Sequence, residues 1–225
     1  MKREQVASMT ARMILEAGAV RYNAAQPYFL SSGWASPVYL EFQRLISFPR
    51  MRSTLMDFAS QTVLLGAGYE QFDAVAGAES AGIPYAAWIA ERLALPLQYV
   101  RRKPRGFGAE AQVEGSLDAG DRVLLVDDVT TDGRTKAALC AALRNLGAKV
   151  DHMLVMFYYD IFPEARGAFD TLGIRLHYLA TWRDVLAAGR ANGFFPAAQA
   201  LELERFIADP ARWSLEHGGI GAFPK

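Results

Sequence analysis

Apolar positions recur along this chain with two periods, and each change of period marks an element. Near the N-terminus Val6, Met9, Met13, Ile14 and Ala17 follow helical spacing, and Gly18 is placed to close that helix. The same spacing predicts a helix over 51–65 that ends near Gly66 and Gly68. It predicts another over 83–95, with Pro84 tolerated in its first turn, and a third over 131–146 closed by Gly147. Short apolar runs lie between them: FDAVAG at 72–77, LPLQYVRR at 95–102, and the stretches 122–127, 150–159 and 175–181. These read as strands. Strands alternating with helices predict βαβ units and an α/β fold, with a central parallel sheet of about five strands flanked by helices. The connections are expected to be right-handed. Residues before about 72 and after about 182 are expected to add helical or irregular pieces to that sheet. With neither a repeat nor a linker-like tract, a single domain over 1–225 is expected.

Composition narrows the function classes. Lys plus Arg and Asp plus Glu both number 24, so no global field favours nucleic acid or membrane, and a charged site must come from local clustering. Cys140 is the single cysteine, which excludes an internal disulfide and thiolate metal clusters and suits a cytoplasmic location. No apolar run is long enough to span a bilayer. The N-terminal stretch lacks a signal peptide's apolar segment because Arg12 and Glu16 interrupt it.

The stretch VLLVDDVTTDGRTK, 123–136, carries the clearest chemistry. In open α/β sheets ligands bind beyond the carboxyl ends of strands, which is where Asp127 and Asp128 fall. Val129, Thr130, Thr131, Asp132, Gly133, Arg134 and Thr135 then form a tight passage into a helix. A helix start offers unpaired N–H groups and partial positive charge, which suit phosphate. The hydroxyls add donors, and Gly133 lets backbone approach a ligand closely. Adjacent carboxylates accept hydrogen bonds from neutral hydroxyls, and a ribose carries two neighbouring ones. The stretch thus reads as a holder for a ribose 5-phosphate, and equally as a solvated strand end followed by a helix cap. It contains neither a Walker A loop nor the dinucleotide fingerprint.

An apolar strand, two acids and a Thr/Gly-rich loop together resemble the phosphoribosyl pyrophosphate (PRPP) motif of type I phosphoribosyltransferases. Three further stretches resemble the orotate phosphoribosyltransferase family in particular. FLSSGWASPVYLEFQRLISFP, 29–49, is similar to its early segment, and GAESAGIP, 77–84, to its diphosphate-contacting loop. YVRRKPRGFGAEAQVEG, 99–115, is similar to its mobile catalytic loop. That loop has a physical basis of its own: Arg101, Arg102, Lys103 and Arg105 concentrate cations among Pro104, Gly106 and Gly108, a composition suited to closing over a polyanion.

The resemblance implies a type I phosphoribosyltransferase fold with a small hood near 1–70, a core near 71–182 and a C-terminal helical extension near 183–225. It implies transfer of phosphoribosyl from PRPP to orotate, giving orotidine 5′-monophosphate and diphosphate in pyrimidine biosynthesis. Arg101, Arg102, Lys103, Arg105, Asp127 and Asp128 would be catalytic. Residues 127–135, with Ser80 and Ala81, would bind PRPP; Thr131, Tyr39, Leu40 and Ser31 would bind orotate. Mg²⁺ would be held mainly by PRPP and water. A homodimer is implied, with loop 101–115 crossing into the neighbouring site. The chain departs from the family at Ser31 and Ala81, where lysines are common, at Phe107 in place of a histidine, and at Ile161 near an arginine position. Arg44 is a candidate replacement cation, and Trp34 and Phe42 read as packing. Transfer to another nucleobase, or a non-catalytic PRPP-binding regulator, remain the alternatives; His152, His177 and His217 carry no assigned role.

Overall fold

The computed structural model describes residues 1–105, 112–131 and 133–222. In chain order the elements are α1 (Arg3–Glu16), β1 (Val20–Tyr22), β2 (Tyr28–Phe29), β3 (Ala35–Ser36), β4 (Val38–Leu40), a 3-10 turn (Phe42–Ser47) and α2 (Pro49–Ala67). Then come β5 (Ala74–Ala78), α3 (Gly82–Leu93), β6 (Leu97–Val100), β7 (Val113–Glu114), β8 (Arg122–Thr130) and α4 (Arg134–Asn145). The chain continues through β9 (Lys149–Tyr158), α5 (Pro163–Thr171), β10 (Arg175–Thr181), α6 (Trp182–Ala191), α7 (Ala197–Ala208) and α8 (Pro210–Glu216).

Two compact units result. One comprises residues 50–159 and 163–179 and holds most of a six-stranded sheet in the order β10-β9-β8-β5-β6-β7. β5 pairs in parallel with β6 and β8, and β8 pairs in parallel with β9. β7 runs antiparallel to β6. The expected parallel sheet is present, with this two-residue edge strand added; a strand so short leaves no period to read in sequence. Every residue of β5 is buried, as expected for a central strand covered on both faces. Gly77 and Gly82 let α3 approach the sheet: a Cβ at Gly77 would lie 2.8 Å from the Ile83 Cα. The same unit contains α2, which the sequence reading assigned to the hood.

The other unit comprises residues 1–49, 160–162 and 180–225. Its antiparallel ribbons β1–β4 and β2–β3 are accompanied by α1 and the three C-terminal helices. The C-terminal helices are tied to the early ribbons. The Ala35 amide donates to the Ser214 hydroxyl at 2.9 Å, a buried contact across 179 residues of sequence. Trp34 and Phe42 are buried in this unit, and Trp34 meets Phe162 with ring centroids 4.6 Å apart.

Candidate functional site

β8 does not end at its two acids. The strand runs on to Thr130, because Asp127, Val129 and Thr130 have partners on β9 in Val155, Phe157 and Tyr158. Asp127 and Asp128 are therefore 6% and 7% exposed, not a solvated strand end. Burying a carboxylate is unfavourable unless it is paired and hydrogen-bonded. For Asp127 the compensation is visible. One oxygen contacts the ammonium of Lys136, and the other accepts the Asp128 amide at 2.8 Å.

Lys136 is the principal residue missed by sequence reasoning. It is buried and lies in the first turn of α4, where the helix dipole disfavours a cation. Helical side chains lean toward the N-terminus, so Lys136 points back to the strand that precedes its own helix. A lysine at an unfavourable helix position, nine residues after an aspartate, was the available signal. Gly82 completes the arrangement: a Cβ there would lie 2.5 Å from the Val126 carbonyl oxygen and 3.0 Å from Asp127 Oδ1.

Asp128 behaves differently. Burial, and then the adjacent negative charge of Asp127, push its carboxyl up to about 7, while the Val129 amide and Lys136 pull the other way. Tyr85 on α3 is fully buried, and burial with the nearby Asp128 charge pushes its phenol upward. Gly133 follows at φ +76°, a backbone conformation suited to glycine, and a Cβ there would come within 3.0 Å of the Phe169 ring. The first turn of α4 follows directly. Thr131 is half-buried; Asp132 and the side chains of Arg134 and Thr135 lie outside the described residues.

Glu79, at the end of β5, organises the start of the basic loop. Its carboxylate accepts the Arg102 amide at 3.0 Å, its backbone carbonyl accepts Arg102 Nε at 3.1 Å, and Arg101 lies 3.5 Å away. Arg101 also pairs with Glu114 at 2.8 Å and donates to the Tyr99 hydroxyl at 3.0 Å. The Arg101 side chain is only 11% exposed and already faces two carboxylates. Arg102, Lys103 and Arg105 are exposed. Gly106, Phe107 and Gly108 lie outside the described residues. Ser80 is exposed and Ala81 half-buried just before α3.

Ser31, Tyr39 and Leu40 belong to the other unit. Ser31 is exposed, and Tyr39 presents 42% of its surface, so it is not core. Leu40 is buried. Arg44 donates from Nε to the Ala17 carbonyl at the end of α1, and Ile161 is buried.

Residues 48–160 match the Phosphoribosyl transferase domain family. A curated orotate phosphoribosyltransferase of Ruegeria sp. (strain TM1040) is 53% identical over 210 residues, which cover 93% of each chain. The chain belongs to the orotate phosphoribosyltransferase family. Among solved structures, the orotate phosphoribosyltransferase of Aeropyrum pernix is 32% identical, with a TM-score of 0.68, over 79% of this chain and 97% of that one. The Leishmania donovani UMP synthase is 26% identical, with a TM-score of 0.74, over 89% of this chain. The chain spans 42% of that longer protein.

Proposed function

We propose that this enzyme transfers the phosphoribosyl group of PRPP to orotate, releasing diphosphate and orotidine 5′-monophosphate. The observation that carries the reading is the end of β8, where two buried carboxylates lead into a glycine turn and a helix start. Asp127 and Asp128 accept hydrogen bonds from the ribose hydroxyls. Thr130, Thr131, Gly133 and the first amides of α4 receive the 5-phosphate, with Val129, Asp132, Arg134 and Thr135 in the same passage. Ser80 and Ala81, at the end of β5, receive the diphosphate. As the bond from ribose C1 to diphosphate breaks, positive charge grows on the ring and negative charge on the leaving group. Arg101, Arg102, Lys103 and Arg105 meet the latter, which favours the transition state over the ground state. The orotate nitrogen then bonds to C1, with Thr131 contacting the base.

Mg²⁺ would be held mainly by PRPP and water, and it would supply positive charge to the leaving diphosphate. The enzyme acts as a cytoplasmic homodimer, each basic loop serving the neighbouring subunit's site. Loss of orotate absorbance with PRPP, Mg²⁺ and purified protein tests the reaction, run beside adenine, guanine, hypoxanthine and uracil. Turnover of another base without turnover of orotate overturns the choice of base and leaves PRPP chemistry standing. Mixing inactive Arg102→Ala and Asp128→Asn chains tests the dimer: partial activity supports crossed loops, and none from proven mixed dimers refutes them.

A further inference from the structure

Two adjacent buried acids form an unstable pair unless something offsets them, and the Lys136 ammonium is in contact with one of them, Asp127. We propose that Lys136 is a positioning residue for PRPP binding: from the first turn of α4 its ammonium holds Asp127 in place and offsets the crowding of the two carboxylates. This rests on the proposed PRPP chemistry at the end of β8.

Three observations support it. Lys136 is as buried as the acids it serves, so its contact with Asp127 is shielded from water. The opposite oxygen of Asp127 is fixed by the Asp128 amide, and Gly82 leaves that carboxylate room of about one atom, with Oδ1 only 3.0 Å from where a Cβ would stand. The lysine is rooted in α4, the helix whose start is proposed to receive the phosphate, so its contact with Asp127 ties that helix to the end of β8. Charged or titratable groups that act on Asp128 include Asp127 on β8, Lys136 on α4 and Tyr85 on α3. Neighbouring strands present Val155 and Phe157 from β9 and Gly77 from β5.

Lys136 lowers the proton affinity of Asp128, and Asp127 raises it by more. Removing the ammonium therefore moves the acid limb of kcat/KM for PRPP to higher pH. Removing Asp127 as well moves it to lower pH than in the single variant.

The test measures kcat and KM for PRPP across about pH 5.5 to 9 in the parent, Lys136→Met and Lys136→Met/Asp127→Asn. For Lys136→Met, KM is expected to rise about tenfold with kcat changed far less, because the contact acts on binding in both ground and transition states. Its acid limb is expected to move up, and that of the double variant to move back below it. A folded Lys136→Met enzyme with KM and acid limb unchanged overturns the proposal. If the single variant does not fold, the double variant decides. An acid limb at or above the parent's then overturns the proposal, and one below it supports it. Failure of the underlying reading is separate, because it shows in the parent alone as no thermal shift with PRPP and no diphosphate release, and the proposal falls with it.

Discussion

The acids at the end of β8 and the cations after β6 are both dense runs of charge in one unit, yet they differ in kind. Asp127, Asp128 and Lys136 are each less than a tenth exposed, whereas Arg102, Lys103 and Arg105 face solvent. A buried charge interacts strongly and is costly to leave unpaired. An exposed charge is screened and contributes little to folding. The acid cluster is therefore bound up with the fold, while the exposed side chains of Lys103 and Arg105 contribute little to it. Arg101 stands between them, with its guanidinium against Glu79 and Glu114.

The sharpest way to break this contrast is Asp127→Ala. It leaves the Lys136 ammonium buried without its carboxylate, and stability should fall by about 3–5 kcal/mol. Chemical denaturation midpoints measure this; a loss below about 1 kcal/mol would place the cluster with surface pairs. Arg105→Ala should do the reverse. Diphosphate release is expected to fall roughly a hundredfold, with stability within about 0.5 kcal/mol of the parent. Arg101→Ala should lower both, because its partners Glu79 and Glu114 lose their cation.

Gly82→Ala sharpens the comparison from the backbone side. The added carbon would meet the Val126 carbonyl at 2.5 Å, and main chain cannot swing aside as a side chain can. A loss of about 1–3 kcal/mol is expected, with a raised KM for PRPP as Asp127 shifts.

The smallest effect lies in pH. The Asp128 carboxyl is pushed up to about 7, so its contribution to stability is full below the ordinary value of 3.8 and is lost as pH rises through 7. Burial, then the neighbouring charges of His152 and Arg175, push His177 down to about 4 from 6.5. Its contribution is present above 6.5 and is lost as pH falls through 4. The two slopes oppose each other between about pH 4 and 7. Asp128→Asn should make stability climb with pH across that window, and His177→Gln should make it fall. Denaturation midpoints at either end of the window distinguish them.

Much of this was legible in the sequence because the decisive signals are local. The alternation of helices and strands follows from period alone, and β10 has the bounds its apolar run predicted. The reading of 122–127 as a strand stopped at the first charges. β8 continues to Thr130 because β9 supplies ladder partners, and pairing overrides the aversion of strands to aspartate. Lys136 was passed over because a polar residue in a helix's first turn ordinarily faces water. Only the three-dimensional return of α4 onto its own preceding strand reveals otherwise. The joining of 180–225 with 1–49 depends on contacts such as Ala35 with Ser214, for which sequence carries no period.

The short pairing of β6 with β7 has a consequence for how the basic loop can vary. The Arg101 amide donates to the Gln112 carbonyl at 2.8 Å, and the Gln112 side chain returns a bond to the Arg101 carbonyl at 2.9 Å. The chain between them is thereby closed at its root. The entropy of closing such a ring grows only logarithmically, so doubling its length costs about 0.6 kcal/mol. Evolution or an engineer can therefore change the reach of this segment while the sheet beneath it keeps the same anchor.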